Sequence, residues 1–108
     1  MRTRKQTAHT VYLSGPMTGR VDYNYPAFDA AENGLILAGH LVINPARTGE
    51  RDTNHLRTPE WHDYMASAIS HMREATAIRF LPGWWRSYGA WVEFVVALKM
   101  RLTILRGA

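Results

Sequence analysis

Residues 76–93 read Thr76-Ala77-Ile78-Arg79-Phe80-Leu81-Pro82-Gly83-Trp84-Trp85-Arg86-Ser87-Tyr88-Gly89-Ala90-Trp91-Val92-Glu93, and this stretch decides the fold class. Its first six residues form a short β-branched and apolar run, the length of a strand, which Pro82-Gly83 stops. Ser87 then offers a side-chain oxygen where the first free N–H groups of a helix need an acceptor, and an apolar segment follows to about Met100. A strand that turns directly into a helix is the building unit of a parallel sheet, because parallel neighbours can be joined only by a long crossover.

The same unit recurs on either side. Thr10-Val11-Tyr12-Leu13-Ser14 is a first strand that ends at Gly15-Pro16, and Leu41-Val42-Ile43 is a second that ends at Asn44-Pro45. Between them Pro26 suits a first helical position, and Phe28, Ala31, Leu35 and Ala38 recur at helical spacing up to Gly39. The polar stretch from Ala46 to Thr58 has no period and reads as a long loop. Thr58-Pro59-Glu60 then starts a helix whose face carries Trp61, Met65, Ala68, Ile69 and Met72, and which runs to about Ala75. Leu102-Thr103-Ile104-Leu105 closes the chain as a fourth strand. The order β-α-β-α-β-α-β predicts a three-layer α/β domain, a flavodoxin/Rossmann-like parallel four-stranded sheet with helices on both faces and right-handed crossovers. Residues 1–9 read as a basic N-terminal arm and residues 10–108 as a single α/β domain.

The 108 residues suit one core, and the absence of cysteine removes disulfides, thiolate metal sites and cysteine nucleophiles. The longest apolar run, Phe94–Leu98, is too short to span a bilayer, and Met1–Thr7 lacks an apolar signal core, so the expectation is a cytoplasmic protein with no membrane contact. The net charge of +4 comes mostly from arginine. Those arginines are scattered without interleaved aromatics, so nucleic acid is not the expected partner. His55, His62 and Asp63 follow no ligand pattern, and no metal site is expected. Arg47, Arg51 and Arg57 in the long loop are open to two readings, a clamp on phosphate or solvated charge.

In a parallel sheet ligands bind beyond the carboxyl ends of the strands, where the winding reverses. Two glycine-bearing loops leave strand ends here, Gly15-Pro16-Met17-Thr18-Gly19 and Pro82–Gly89, and their N–H groups with the helix start at Ser87 could hold an anion. Glu93 is the sharper feature. Its helical neighbours Gly89, Ala90, Val96 and Ala97 offer no cation, so it is either a solvated charge or a carboxylate held in a pocket, and spacing alone leaves both open.

Tyr12–Gly19, Ala38–Pro45, and Leu81-Pro82-Gly83-Trp84 with Ser87, Gly89, Ala90 and Glu93 together resemble the nucleoside 2-deoxyribosyltransferase-like superfamily, in particular its short members carried by bacteriophages and prophages. The resemblance covers the chain from Tyr12 to Leu105. It implies an N-glycosidase or deoxyribosyltransferase acting on a nucleoside or nucleoside 5′-monophosphate, with Glu93 as nucleophile and Tyr12 positioning it. It further implies that Gly15, Thr18, Gly19, Ser87 and Gly89 hold the sugar or its phosphate, that no cofactor takes part, and that the chain forms a homodimer or higher homo-oligomer. Many relatives carry two further aspartates, at positions corresponding to Ala68 and Thr76. Their loss keeps a second reading open, a non-catalytic nucleotide-binding or protein-interaction domain, of the kind used in phage–host conflict, that retains the pocket. The aromatics Trp84, Trp85, Tyr88 and Trp91 could stack a base, but packing in the core or between subunits is the preferred reading.

Overall fold

The computed structural model of the protein describes residues 8–17, 21–48 and 61–106. Four strands, β1 (Thr10–Ser14), β2 (Leu41–Ile43), β3 (Ala77–Phe80) and β4 (Thr103–Leu105), form one sheet in the order β2-β1-β3-β4. Every pairing is parallel: Tyr12 lies opposite Ile43 on one side and Ile78 on the other, and Ile78 lies opposite Ile104. The chain therefore steps from β1 to one neighbour, then returns past it to β3 and β4. That reversal between β1 and β3 is the switch point of a doubly wound sheet.

The helices are α1 (Tyr25–Leu37), the single turn α2 (Pro45–Thr48), α3 (Trp61–Met72) and α4 (Tyr88–Met100). Strand residues alternate between faces, and the two cores follow that alternation. Val11, Leu13, Ala77 and Leu81 pack with Phe28 and Leu35 of α1 and with Ala46 of α2. Tyr12 and Ile78 pack on the opposite face with Ala68 and Met72 of α3 and Ala97 of α4. The protein is thus a three-layer α/β domain with helices on both faces of a four-stranded parallel sheet.

The element boundaries lie within three residues of those read from the sequence, α3 ending at Met72 rather than near Ala75, and three places call for comment. The first helix begins at Tyr25 and ends at Leu37, with Ala38 as its exposed C-cap. The expected long loop opens as helix at Pro45–Thr48, because the Asn44 side-chain oxygen accepts the Ala46 N–H at 2.9 Å and nucleates a turn. Asn44 also donates to Asp29 Oδ1 and Glu32 Oε1 on α1, which ties the turn to the helix beneath it. Before α1, Asp22, Tyr23 and Asn24 take left-handed φ values of 52°, 50° and 63°, a short left-handed turn that no glycine signals. The Thr58-Pro59-Glu60 helix start lies outside the described residues.

Candidate functional site

Two elements place Glu93. Ser87 accepts the Ala90 N–H at 3.1 Å and caps α4, which sets the phase in which Ala90, Glu93 and Ala97 turn inward onto the sheet. From β1, Tyr12 and Ser14 stand two residues apart and so project from the same face. Tyr12 Oη donates to Glu93 Oε2 at 3.1 Å and Ser14 Oγ to Oε1 at 2.5 Å. All three side chains are buried, with Glu93 only 4% exposed.

Burial pushes the Glu93 carboxyl up from its ordinary 4.5 to about 7, against the pull of the hydrogen bonds from Ser14 and Tyr12. Near neutral pH it therefore sits close to half-ionised. Each oxygen carries one hydroxyl donor, so the carboxyl is held in a fixed orientation. Among the described residues the buried polar or charged side chains are Ser14, Asn44 and Glu93.

The site stands at the carboxyl end of β1, beside β3, where the winding reverses. Gly15 lies here at a close approach of two chain segments: a Cβ on it would fall 2.9 Å from Leu81 Cβ. The Leu81 N–H donates to Ser14 O at 2.8 Å and locks the first loop to the end of β3. Gly89 is under no such constraint, since a Cβ there would meet Met65 Sδ at 3.6 Å and Ser87 Oγ at 3.9 Å, ordinary contacts. Thr18 and Gly19 lie outside the described residues.

Ser14 is the residue that sequence reasoning missed as a partner of Glu93. The signal was present in its two-residue offset from Tyr12. Ala68 and Thr76, the two positions at which the resemblance leads one to expect acids, lie in different surroundings. Ala68 belongs to the apolar cluster around Tyr12. Thr76 stands at the amino end of the sheet, where its Oγ1 accepts the Thr10 N–H at 3.0 Å and lies 3.0 Å from His9 Nδ1. Strand rise separates that end from Ser14 by roughly 13 Å. An acid at position 76 would be remote from Glu93, whereas position 68 shares an apolar cluster with Tyr12.

The aromatics pack on one another more than they line a cleft. Trp84 lies against Phe80, Trp91 and Phe94 with ring centroids 4.6, 4.7 and 5.5 Å away, while Trp85 and Tyr88 are exposed. His40 Nδ1 accepts the His9 N–H at 2.9 Å, and His71 Nδ1 donates to Ser67 O at 2.8 Å. Arg47 donates to Glu32 Oε1 at 2.7 Å. Arg51, Arg57 and His55 lie outside the described residues, as do the side chains of His62 and Asp63. No cluster of three or more metal-ligating side chains occurs among the described residues, and no described helix is long and apolar enough to cross a membrane.

A doubly wound parallel sheet with an oriented, buried carboxyl at its switch point defines a small α/β domain of the kind that takes ligands at its strand ends. The chain belongs to the family described as Domain of unknown function (DUF4406), which matches residues 9–106. No curated protein matches the chain.

Proposed function

We propose that this chain is an N-glycosidase or deoxyribosyltransferase-like enzyme acting on a nucleoside or nucleoside 5′-monophosphate, with Glu93 as its nucleophile. The observation that carries this reading is the buried Glu93 carboxyl at the switch point, with each oxygen held by a hydroxyl from β1. Tyr12 and Ser14 act as positioning residues. A Glu93 oxygen forms a bond to the anomeric carbon as the C1′–N bond breaks and its electron pair leaves on the base, which takes up a proton. Water then attacks the anomeric carbon as the C1′–Oε bond of the ester breaks, releasing the sugar with a free anomeric hydroxyl, restoring the Glu93 carboxylate and returning to solvent the proton that the base took from it. Hydrolysis is preferred to transfer, since nothing in the sequence marks a second base site. Gly89 supports a ligand approaching the start of α4, because alanine at a compatible helical position is favoured over glycine by about 0.5–1 kcal/mol and the fold leaves room for the methyl. The reading carries with it the superfamily likeness, a cytoplasmic setting and self-association.

One observation favours the second reading, a nucleotide-binding or interaction domain without turnover. Ala68 gives the Tyr12 side of the site an apolar wall, where proton transfer by an acid is worth about 10²–10⁴-fold in such reactions. Incubating the protein and Glu93→Gln with nucleosides and their 5′-monophosphates separates the two. Base release by the wild type that disappears in the variant is the expected outcome. A ligand-induced thermal shift without base release transfers the site to the second reading, and neither signal across the panel removes nucleosides from consideration.

A further inference from the structure

The face of α4 opposite Glu93 is apolar and open. Trp85, Tyr88, Trp91, Val95 and Leu98 are each 44–74% exposed. Within the helix, positions 88, 91, 95 and 98 follow the 3-4-3 spacing of a helix–helix seam, while Ala90, Glu93 and Ala97 occupy the buried side. A helix apolar on nearly all sides is ordinarily covered on all sides.

Three features identify the cover as a second copy of the chain. The seam is its own complement when reversed about its midpoint, which sets position 88 opposite 98 and position 91 opposite 95, as a two-fold contact requires. Its charges agree with that direction. Lys99 and Arg101 are exposed at the carboxyl end of α4, where a parallel pair would set like charges against each other. An antiparallel pair sets them against the exposed rings of Trp85 and Tyr88, whose faces attract cations. The area is also adequate: with roughly 200 Å² per aromatic side chain, the exposed parts of these five residues come to roughly 500 Å². That is close to the apolar share of a standard interface of about 800 Å² per partner.

We propose that two copies of this chain associate through antiparallel α4 helices about a two-fold axis, Trp91 of each against Val95 of the other and Tyr88 against Leu98. This gives a surface to the self-association proposed above and is independent of any chemistry at Glu93, since its readout is mass.

Light scattering behind size exclusion should give twice the 12.3 kDa chain mass. Val95→Glu should weaken the dimer by on the order of 30-fold or more, the loss expected of a central interface contact, with circular dichroism unchanged. A wild-type chain that remains monomeric at every attainable concentration overturns the proposal, as does a Val95→Glu protein that dimerises like the wild type. Orientation is read in the otherwise wild-type chain, which lacks cysteine. A short bismaleimide should join Tyr88→Cys to Leu98→Cys in a mixture several-fold more than it joins either to itself. Preferential self-linking would overturn the antiparallel arrangement, and because both positions are exposed this arm stands even where Val95→Glu fails to fold.

Discussion

Glu93 ties the chemistry of the site to the stability of the chain. Unfolding returns its carboxyl to the ordinary value near 4.5, whereas burial in the fold holds it at about 7. Between those values the folded chain keeps a proton that the unfolded chain has lost. The contribution of this group to stability is therefore full below about pH 4.5, falls as pH rises, and is gone above about 7. The gap corresponds to about 3 kcal/mol. Glu93→Gln keeps the shape and cannot ionise, so its stability relative to wild type, measured by urea denaturation, should rise by about 3 kcal/mol from pH 4.5 to pH 8. Parallel pH profiles for the two proteins would remove the buried, shifted carboxyl. For the enzyme reading the same ionisation has the opposite consequence, since the nucleophile is the charged form and kcat/KM should climb with pH through about 7. On that reading the fold is least stable in the state that reacts. Sequence spacing could not decide whether Glu93 was solvated, because burial depends on the phase of α4, and that phase is set by the Ser87 cap together with the hydroxyls of β1.

At the scale of the element, α4 carries three separate demands: a capped start at Ser87, an inward stripe of Ala90, Glu93 and Ala97, and an outward apolar seam. Gly89 satisfies none of them. Gly89→Ala should raise stability by about 0.5–1 kcal/mol in thermal or urea denaturation, since alanine is the better helix former and its methyl meets only ordinary contacts. If the bare backbone at Gly89 serves a ligand, the same variant loses thermal stabilisation by nucleosides that shift the wild type. A Gly89→Ala protein that gains stability and keeps its ligand response would withdraw Gly89 from the site. The elements were legible where a short apolar run met glycine or proline, as at Ser14-Gly15-Pro16 and Leu81-Pro82-Gly83. They were not legible where the signal is local. Four residues of α2 cannot display a helical period, and the left-handed turn at Asp22, Tyr23 and Asn24 carries no glycine, the preference of Asp and Asn for positive φ being too weak to mark it alone. The C-cap of α4 at Arg101, with φ of 62°, likewise lacks the glycine that usually marks such a stop.

Across the whole molecule, β1 is the strand on which everything converges. It lies between β2 and β3, Val11 and Leu13 enter one core, Tyr12 enters the other, and Tyr12 with Ser14 holds Glu93. The count of strands and their succession along the chain could be read from the sequence. The placement of β3 against β1, which makes Thr76 remote and Ser14 central, required the pairing itself. Because β1 is covered on both faces and paired on both edges, Leu13→Ala leaves a cavity that neither layer can readily fill. It should cost about 2–5 kcal/mol, a large part of the 5–15 kcal/mol typical of a domain. Ile104 lies on edge strand β4 and is 39% exposed, so Ile104→Ala removes contacts already shared with solvent and should cost about 1 kcal/mol. Leu13 stands between Tyr12 and Ser14, so its truncation should also loosen the grip on Glu93. The slope of stability against pH between 4.5 and 7 should then become shallower in Leu13→Ala, as the carboxyl gains access to water, and stay unchanged in Ile104→Ala. Equal losses from the two substitutions, or an unaltered slope in Leu13→Ala, would show that the site and the core do not depend on β1 as a single unit.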